Sequence, residues 1–289
     1  MTMTTATQIP RLTLNNGVEI PQLGFGVFQV PPGEVVTPVT TALEAGYRLV
    51  DTAAAYQNEE GVGRALRESG VPRAEVFVTT KLWNADHGRD AVLAAFDASL
   101  AKLGLDTVDL YLIHWPQPEL DRYVETWQAL EELYRDGRAR AIGVSNFTER
   151  HLNRLLAETE VIPAVNQVEL HPRFPQEPLR AFHAEHQIAT EAWSPLGQGG
   201  GLLEDPVIAS VARSRARTPA QVVLRWHLQL GCIAIPKSVT PERILANLEV
   251  GDFELDDQDM AALTALGEGE GAGGGSGRIG PDPEQFEVR

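Results

Sequence analysis

The sequence is poor in cysteine, in cationic residues and in long apolar runs. A single cysteine, Cys232, among 289 residues excludes an intrachain disulfide. It sits in the short apolar run "GCIAIPKS", where a free thiol reads as a small buried hydrophobe. No stretch of 18 apolar residues exists, so no transmembrane helix is expected. The opening "MTMTTATQIP" has neither a charged n-region nor an apolar h-region and does not read as a signal peptide. Lysine and arginine number 24 against 40 acidic residues, a formal net charge of -16. That argues against nucleic acid or an anionic membrane as partner, while leaving room for a local cationic pocket. A cytoplasmic protein without a metal site is the simplest reading. A complete G-x-G-x-x-G fingerprint is also missing. "GFGVFQ" supplies two glycines but has Gln29 where the third is needed, and no acidic residue follows at the required distance.

What is present is an ordinary globular balance, 43% hydrophobic and 22% charged, enough to form a real core. The first regular signal is "LTLNNGVEI" (12–20), where Asn16-Gly17 between β-type residues predicts a hairpin. Short runs rich in Val, Ile and Leu then alternate with helical patterns. The runs are 23–28, 47–53, 76–82, 108–114, 141–146, 164–170, 188–194 and 232–238. Helical patterns between them include "DAVLAAFDASLAKLG", "YVETWQALEELYRDG" and "TPAQVVLRWHLQLG", several ending on glycine as C-caps do. Pro219 and Pro241 each follow a threonine, an N-cap followed by N1. Continuous apolar strands predict a parallel sheet buried on both faces. Eight of them in about 250 residues favour a closed (β/α)8 TIM barrel over a doubly wound sheet, with residues 1–289 as one domain. The glycine-rich "GEGEGAGGGSG" (267–277) opens a C-terminal loop or tail (267–289), read as a mobile wall over the pocket.

Most of the runs finish in polar residues at the same, C-terminal, end: Asp51, Lys81, His114, Ser145 with Asn146, Gln167, Ser194, and Lys237 with Ser238. In a barrel that end is one face, where the βα loops build the site. Asp51, Lys81 and His114 should converge there, with Tyr56 folding over from the loop after the Asp51 strand. Each alone has a bland explanation as cap, core histidine or solvated lysine. Together they make chemical sense. An ammonium at Lys81 lowers the pKa of the Tyr56 hydroxyl, and a carboxylate at Asp51 keeps a buried lysine charged. His114 can position a carbonyl oxygen. The set is a tuned proton donor aimed at an oxygen gaining negative charge, as ketone or aldehyde reduction requires. In "PKSVTPERILAN", Lys237, Ser238 and Arg243 surround a helix N-terminus, an anion site suited to a 2′-phosphate.

Six segments in order, "GYRLVDTAAAYQNEEGVG", "TTKLWN", "DLYLIHWP", "IGVSNF", "VNQVELHP" and "IPKSVTPERILANLEV", resemble the aldo-keto reductase superfamily over nearly the whole chain. "GVFQVPP", "WSPLGQG" and "GSGR" are most similar to its bacterial branch containing 2,5-diketo-D-gluconic acid reductases. The resemblance implies an NADPH-dependent enzyme with an N-terminal hairpin, a (β/α)8 barrel and the tetrad Asp51, Tyr56, Lys81 and His114, with Tyr56 as general acid. It implies that Ser145, Asn146 and Gln167 hold the nicotinamide carboxamide and that Trp193 stacks on its ring. Ser194 and Leu196 would border the pyrophosphate, and Lys237, Ser238, Arg243 and Asn247 the adenosine end. Ala246 stands where the family often has a glutamate against adenine, and Gly251 where an aromatic is common, so looser cofactor binding is expected. Phe28, Trp83 and Trp115 are expected to line the substrate pocket of a monomer acting on keto-sugars, dicarbonyls or aldehydes. Two other readings fit parts of the pattern: a Schiff-base aldolase using Lys81, and a non-catalytic NADPH-binding subunit.

Overall fold

The computed structural model describes residues 9–267 and 277–286. Its first element is the expected hairpin. Strands β1 (Arg11–Thr13) and β2 (Glu19–Pro21) pair antiparallel, with Leu12 opposite Ile20. The turn needs a residue at positive φ, and Gly17 supplies it at φ 84.

Eight parallel strands follow. They are β3 (Phe25–Gly26), β4 (Leu49–Asp51), β5 (Phe77–Leu82), β6 (Val108–Ile113), β7 (Ala139–Ser145), β8 (Val165–Glu169), β9 (Ala189–Trp193) and β10 (Ile233–Ala234). Each pairs with the next in chain order. The sheet closes on itself through a parallel bridge between Leu23 and Ala234. The Gly24 amide donates to Ala234 O (2.9 Å) and the Ala234 amide to Gln22 O (2.9 Å). With no free edge, the sheet is a barrel. The two seam strands are shorter than the apolar runs 23–28 and 232–238 suggested, and the chain is tightly packed there. A Cβ on Gly24 would lie 2.5 Å from the Leu49 side chain, and one on Gly26 2.9 Å from the Ile235 carbonyl.

Ten α-helices accompany the strands among the described residues: α1 (Val36–Ala45), α2 (Glu59–Glu68), α3 (Arg89–Leu103), α4 (Tyr123–Arg135), α5 (Glu149–Glu158), α6 (Glu177–Glu185), α7 (Pro206–Ser214), α8 (Pro219–Gln229), α9 (Pro241–Leu248) and α10 (Asp257–Thr264). Local chemistry sets their ends. Helix α3 stops at Gly104, φ 67, whose amide bonds back to Leu100 O and Ala101 O. Thr218 caps α8 in a reciprocal box with Gln221. Thr240 precedes α9 as expected, but its side chain caps nothing. Its own amide bonds Ser238 Oγ (3.1 Å) instead.

The hairpin plugs the N-terminal end of the barrel. Leu14 and Ile20 join Leu49, Phe77, Leu110, Ala141, Val165 and Ile233 in one apolar cluster. Asn15 Nδ2 donates to Pro163 O (3.1 Å) and Asn16 Nδ2 to Arg140 O (3.0 Å), which fixes the plug against the start of β8 and β7. Burying Ile20 completely is worth about 1.5–3 kcal/mol. The polar residues are thereby left to the other end.

Candidate active site

Side chains alternate along each strand, so residues two apart share a face. Leu49 and Asp51 both point into the barrel, as do Phe77, Thr79 and Lys81. At this level the apolar filling changes to charge. Lys81 is fully buried. Its Nζ donates to Asp51 Oδ1 (2.6 Å) and Thr52 O (3.0 Å) and lies 3.4 Å from the Tyr56 hydroxyl. Asp51 Oδ2 accepts from Gln167 Nε2 (2.8 Å), so both carboxylate oxygens are held. A one-turn 3-10 helix, Ala54–Tyr56, brings the tyrosine back over the end of β4. The Tyr56 ring meets His114 edge-on at 5.7 Å and packs on Phe28 at 5.1 Å. The four residues expected to converge from separate strand ends are therefore in contact.

Their electrostatics follow from burial and pairing. Burial works to lower the Lys81 pKa. The Asp51 carboxylate, the Tyr56 hydroxyl and the hydrogen bond to Asp51 outweigh it, so the amine stays an ammonium above the ordinary lysine value. For Tyr56 the balance is reversed. Burial raises its pKa, Lys81 pulls it down, Asp51 raises it again, and the net direction is upward. The expectation that Lys81 would bring the hydroxyl below its ordinary value is thus corrected: desolvation wins in this site. His114 is held well below the usual imidazole range, first by burial and then by the Lys81 charge, so it is neutral.

This geometry carries a family resemblance at every scale. The profile of the Aldo/keto reductase family matches residues 22–268. An aldo-keto reductase of Mycolicibacterium smegmatis is 56% identical over 277 residues, covering 96% of this chain and 98% of its own. Methylglyoxal reductase DkgA of Escherichia coli is 51% identical over 276 residues, covering 95% and 97%. The crystal structure of a Gox0644 mutant in complex with NADPH is 47% identical, covers 97% of this chain and 100% of its own, and superposes with a TM-score of 0.91. The chain belongs to the aldo/keto reductase family.

In this aldo/keto reductase Ser145, Asn146, Gln167 and Trp193 form one connected set. Ser145 Oγ donates to Gln167 O (2.8 Å), and Asn146 Nδ2 donates to His114 O (3.0 Å) and Ser145 Oγ (3.1 Å). Trp193 Nε1 donates to Asn146 Oδ1 (2.7 Å). Ser194 Oγ accepts from Gln198 Nε2 (2.6 Å), and Leu196 packs partly buried nearby. Gln29, Gln117, Asn146 and Ser194 take positive φ close behind strand ends. Such backbone strain gathers where a site over-determines it.

The adenosine-side candidates stand apart. The chain has three lysines. Lys81 pairs with Asp51 and Lys102 with Glu59, while Lys237, exposed, makes no ion pair among the described residues. Arg243, also exposed, makes none either, although many arginines of this acidic protein do. Ser238 and Asn247 are buried beside them. Unpaired cations at a helix start whose N-cap side chain is unengaged fit an anionic group.

Of the pocket aromatics, Phe28 is 45% exposed and Trp83 packs edge-on against His114 at 5.4 Å. Trp115 is buried, its ring meeting that of Phe286 at a tilt, 4.3 Å between centroids. The proposed wall 267–277 lies outside the described residues except at Gly267 and Gly277. What the structure adds is the segment 277–286. Glu169 accepts from the Ile279 amide and, at 2.7 Å, the Gly280 amide, and Gly280 sits so close to Trp193 that a Cβ would fall 2.5 Å from its ring. Gln117 Nε2 donates to Phe286 O, and Glu284 binds Thr148 and Arg150. Sequence reasoning missed Glu169, Glu191 and Phe286. For the two glutamates a signal existed: in "VNQVE" and "TEAW" each lies two residues from an inward-facing partner.

Proposed function

We propose that this protein reduces ketone or aldehyde carbonyls at the expense of NADPH, with Tyr56 as the general acid. The observation that carries the reading is the buried Asp51–Lys81–Tyr56 chain, 2.6 and 3.4 Å long at its two links. Bound NADPH supplies the hydride. Tyr56 donates the proton to the carbonyl oxygen, and the Lys81 ammonium stabilises the phenolate left behind. Neutral His114 orients that oxygen without competing for the proton. Ser145, Asn146 and Gln167 would hold the carboxamide and Trp193 the nicotinamide face, with Ser194 and Leu196 along the pyrophosphate. Lys237, Ser238, Arg243 and Asn247 would hold the adenosine end, and the two free cations favour NADPH over NADH.

The geometry supports this reading over a Schiff-base aldolase. A nucleophilic lysine must be neutral with a free lone pair, whereas Lys81 is charged and directs its N–H groups at Asp51, Thr52 and Tyr56. Phe28 and Trp83 at an open mouth, with the resemblance to a methylglyoxal reductase, support small dicarbonyls, aldehydes and keto-sugars as substrates. We infer a single-domain monomer of the cytoplasm. Among the described residues no helix is long and apolar enough to cross a membrane.

The test is Tyr56→Phe, assayed with NADPH against a panel of dicarbonyls, aldehydes and keto-sugars. The expected result is a loss of kcat of about 10²–10⁴, with NADPH binding retained. Undiminished turnover would remove Tyr56 from its role.

A further inference from the structure

One buried acid is left over. Glu191, on β9, is in register with Gln167 on β8 and Ile233 on β10. It lies two residues before Trp193, so it points into the barrel one level below the mouth. It is completely buried, and among the described residues neither carboxylate oxygen has a partner at good hydrogen-bond geometry; the nearest donor is the Gln167 amide, whose weak hydrogen bond favours the charged form. The hydroxyl of Thr79, on the inward face of β5 two residues before Lys81, is unpartnered as well. Gln167, the polar neighbour of Glu191 across the ladder, directs its amide at Asp51.

The charge balance of this level is decisive. Facing Glu191 are Asp51 from β4, Tyr56 from the loop after it, Lys81 from β5, the uncharged Gln167 from β8 and the apolar Ile233 from β10. His114 on the β6 side is neutral. There is one cation for two carboxyl groups. Asp51 takes Lys81 at 2.6 Å and the Gln167 amide at 2.8 Å. Glu191 has no counter-ion and only the weak Gln167 contact. A buried carboxylate without a counter-ion or a well-aligned donor takes up a proton rather than bear the desolvation cost. We propose that Glu191 is a positioning residue that rests as a neutral carboxylic acid beneath the Asp51–Lys81 pair, and that its ionisation weakens Tyr56 as a proton donor and so sets the alkaline limit of carbonyl reduction.

The direction follows from the charges. Neutral Glu191 leaves the Lys81 field on Tyr56 opposed by Asp51 alone. An ionised Glu191 adds a second negative charge, which raises the Tyr56 pKa further and makes the hydroxyl a poorer acid. Burial, and then the Asp51 charge, push the Glu191 carboxyl up to about 8, outweighing Lys81 and the Gln167 amide, which pull the other way. The limit therefore falls just above neutral pH.

The kinetic half of this proposal rests on Tyr56 being the acid; the ionisation state does not. The experiment is an infrared difference spectrum of the full chain between pH 7 and pH 9, paired with kcat over the same range, for wild type, Glu191→Gln and Glu191→Asp. Wild type should lose a protonated-carboxyl carbonyl band as kcat falls several-fold. Glu191→Gln should lack both the band and that limb, and Glu191→Asp should regain a titrating limb. Absence of an acid band in wild type at pH 7, its persistence in Glu191→Gln, or an unchanged kcat limb in that variant would each overturn the proposal. If Glu191→Gln fails to fold, the wild-type band and limb must still share one midpoint, and a mismatch refutes the link. If instead Tyr56→Phe stays active while the band titrates as described, the general-acid reading fails and only the ionisation half stands.

Discussion

The same strands serve the two ends of the barrel in opposite ways. Near its N-terminal end, Leu49, Phe77 and Val165 meet Leu14 and Ile20 of the hairpin in an unbroken apolar layer. Two to four residues further along, the same strands present Asp51, Lys81 and Gln167, joined by hydrogen bonds of 2.6 and 2.8 Å. Burial at the first end is favourable in itself. At the second it is tolerated only because each charge has a partner. The difference separates two kinds of sensitivity: truncation at the plug should cost stability, and removal of one charge at the mouth should cost stability and chemistry together.

Lys81→Met tests the mouth most severely. It strands the Asp51 carboxylate in a buried site, and the expected loss is about 3–5 kcal/mol of folding stability, with turnover abolished. The double variant Asp51→Asn with Lys81→Met removes both charges and should recover much of the stability but none of the turnover. Denaturant unfolding of the three proteins separates the terms. If the double variant were as unstable as the single one, packing rather than charge would be the cause.

At the other end, Ile20→Ala should cost about 2–5 kcal/mol through lost burial and a residual cavity, and kcat should not move. A parallel loss of kcat would show that the two ends are mechanically coupled and would break the comparison.

Much of this contrast is legible in the chain. Eight apolar runs, most of them with polar residues at the C-terminal end, announce both the barrel and the face that carries the site, and Asn16-Gly17 announces the plug. What is not legible depends on neighbours remote in sequence. The seam is tightly packed where Gly24 and Gly26 meet Leu49 and Ile235, more than twenty and two hundred residues away. The Tyr56 pKa rises because burial exceeds the Lys81 attraction, a balance that spacing does not encode. The alternation from Gln167 turns Glu169 inward, but its partners, the Ile279 and Gly280 amides, arrive from 110 and 111 residues downstream. Glu191 interrupts an apolar run and reads as noise unless the alternation from Trp193 is followed inward.

The exposed cations around α9 give a third kind of sensitivity, confined to binding. Arg243 touches no carboxylate among the described residues, so Arg243→Ala should leave stability alone and raise the KM for NADPH roughly tenfold, the loss of about one charge-assisted contact. The KM for NADH should stay the same. Equal effects on the two cofactors would move Arg243 away from the 2′-phosphate.

The smallest effect is expected where the tail crosses the mouth. Glu284 binds Thr148 and Arg150 and lies 3.3 Å from His151. Burial acts to raise its pKa, but the hydrogen bonds to Arg150 and Thr148 outweigh that and hold it below the usual carboxylate value. Its contribution is therefore present above the unfolded pKa and is lost as pH falls through the folded one. His151 is lowered to about 4 by burial, opposed by Glu284, so it folds neutral. The unfolded chain takes up its proton first, near 6.5, so this contribution also fades as pH drops towards 4. Protonation of Glu284 therefore releases the tail in acid, whereas the His151 contribution belongs to the stability of the whole fold. Because Glu284 is partly exposed, the pairing is worth only a few tenths of a kcal/mol to about 1 kcal/mol after screening. Phe286 packs against Trp115 at 4.3 Å, so tryptophan emission reports the tail directly. As pH falls from 7 through the folded pKa of Glu284, below the usual carboxylate value, wild type should show an emission change that Glu284→Gln shows already at pH 7. Were the emission of Glu284→Gln at pH 7 that of wild type, the tail would be held at Glu169 and Gln117 instead, and the mouth would owe its cover to the barrel rather than to α5.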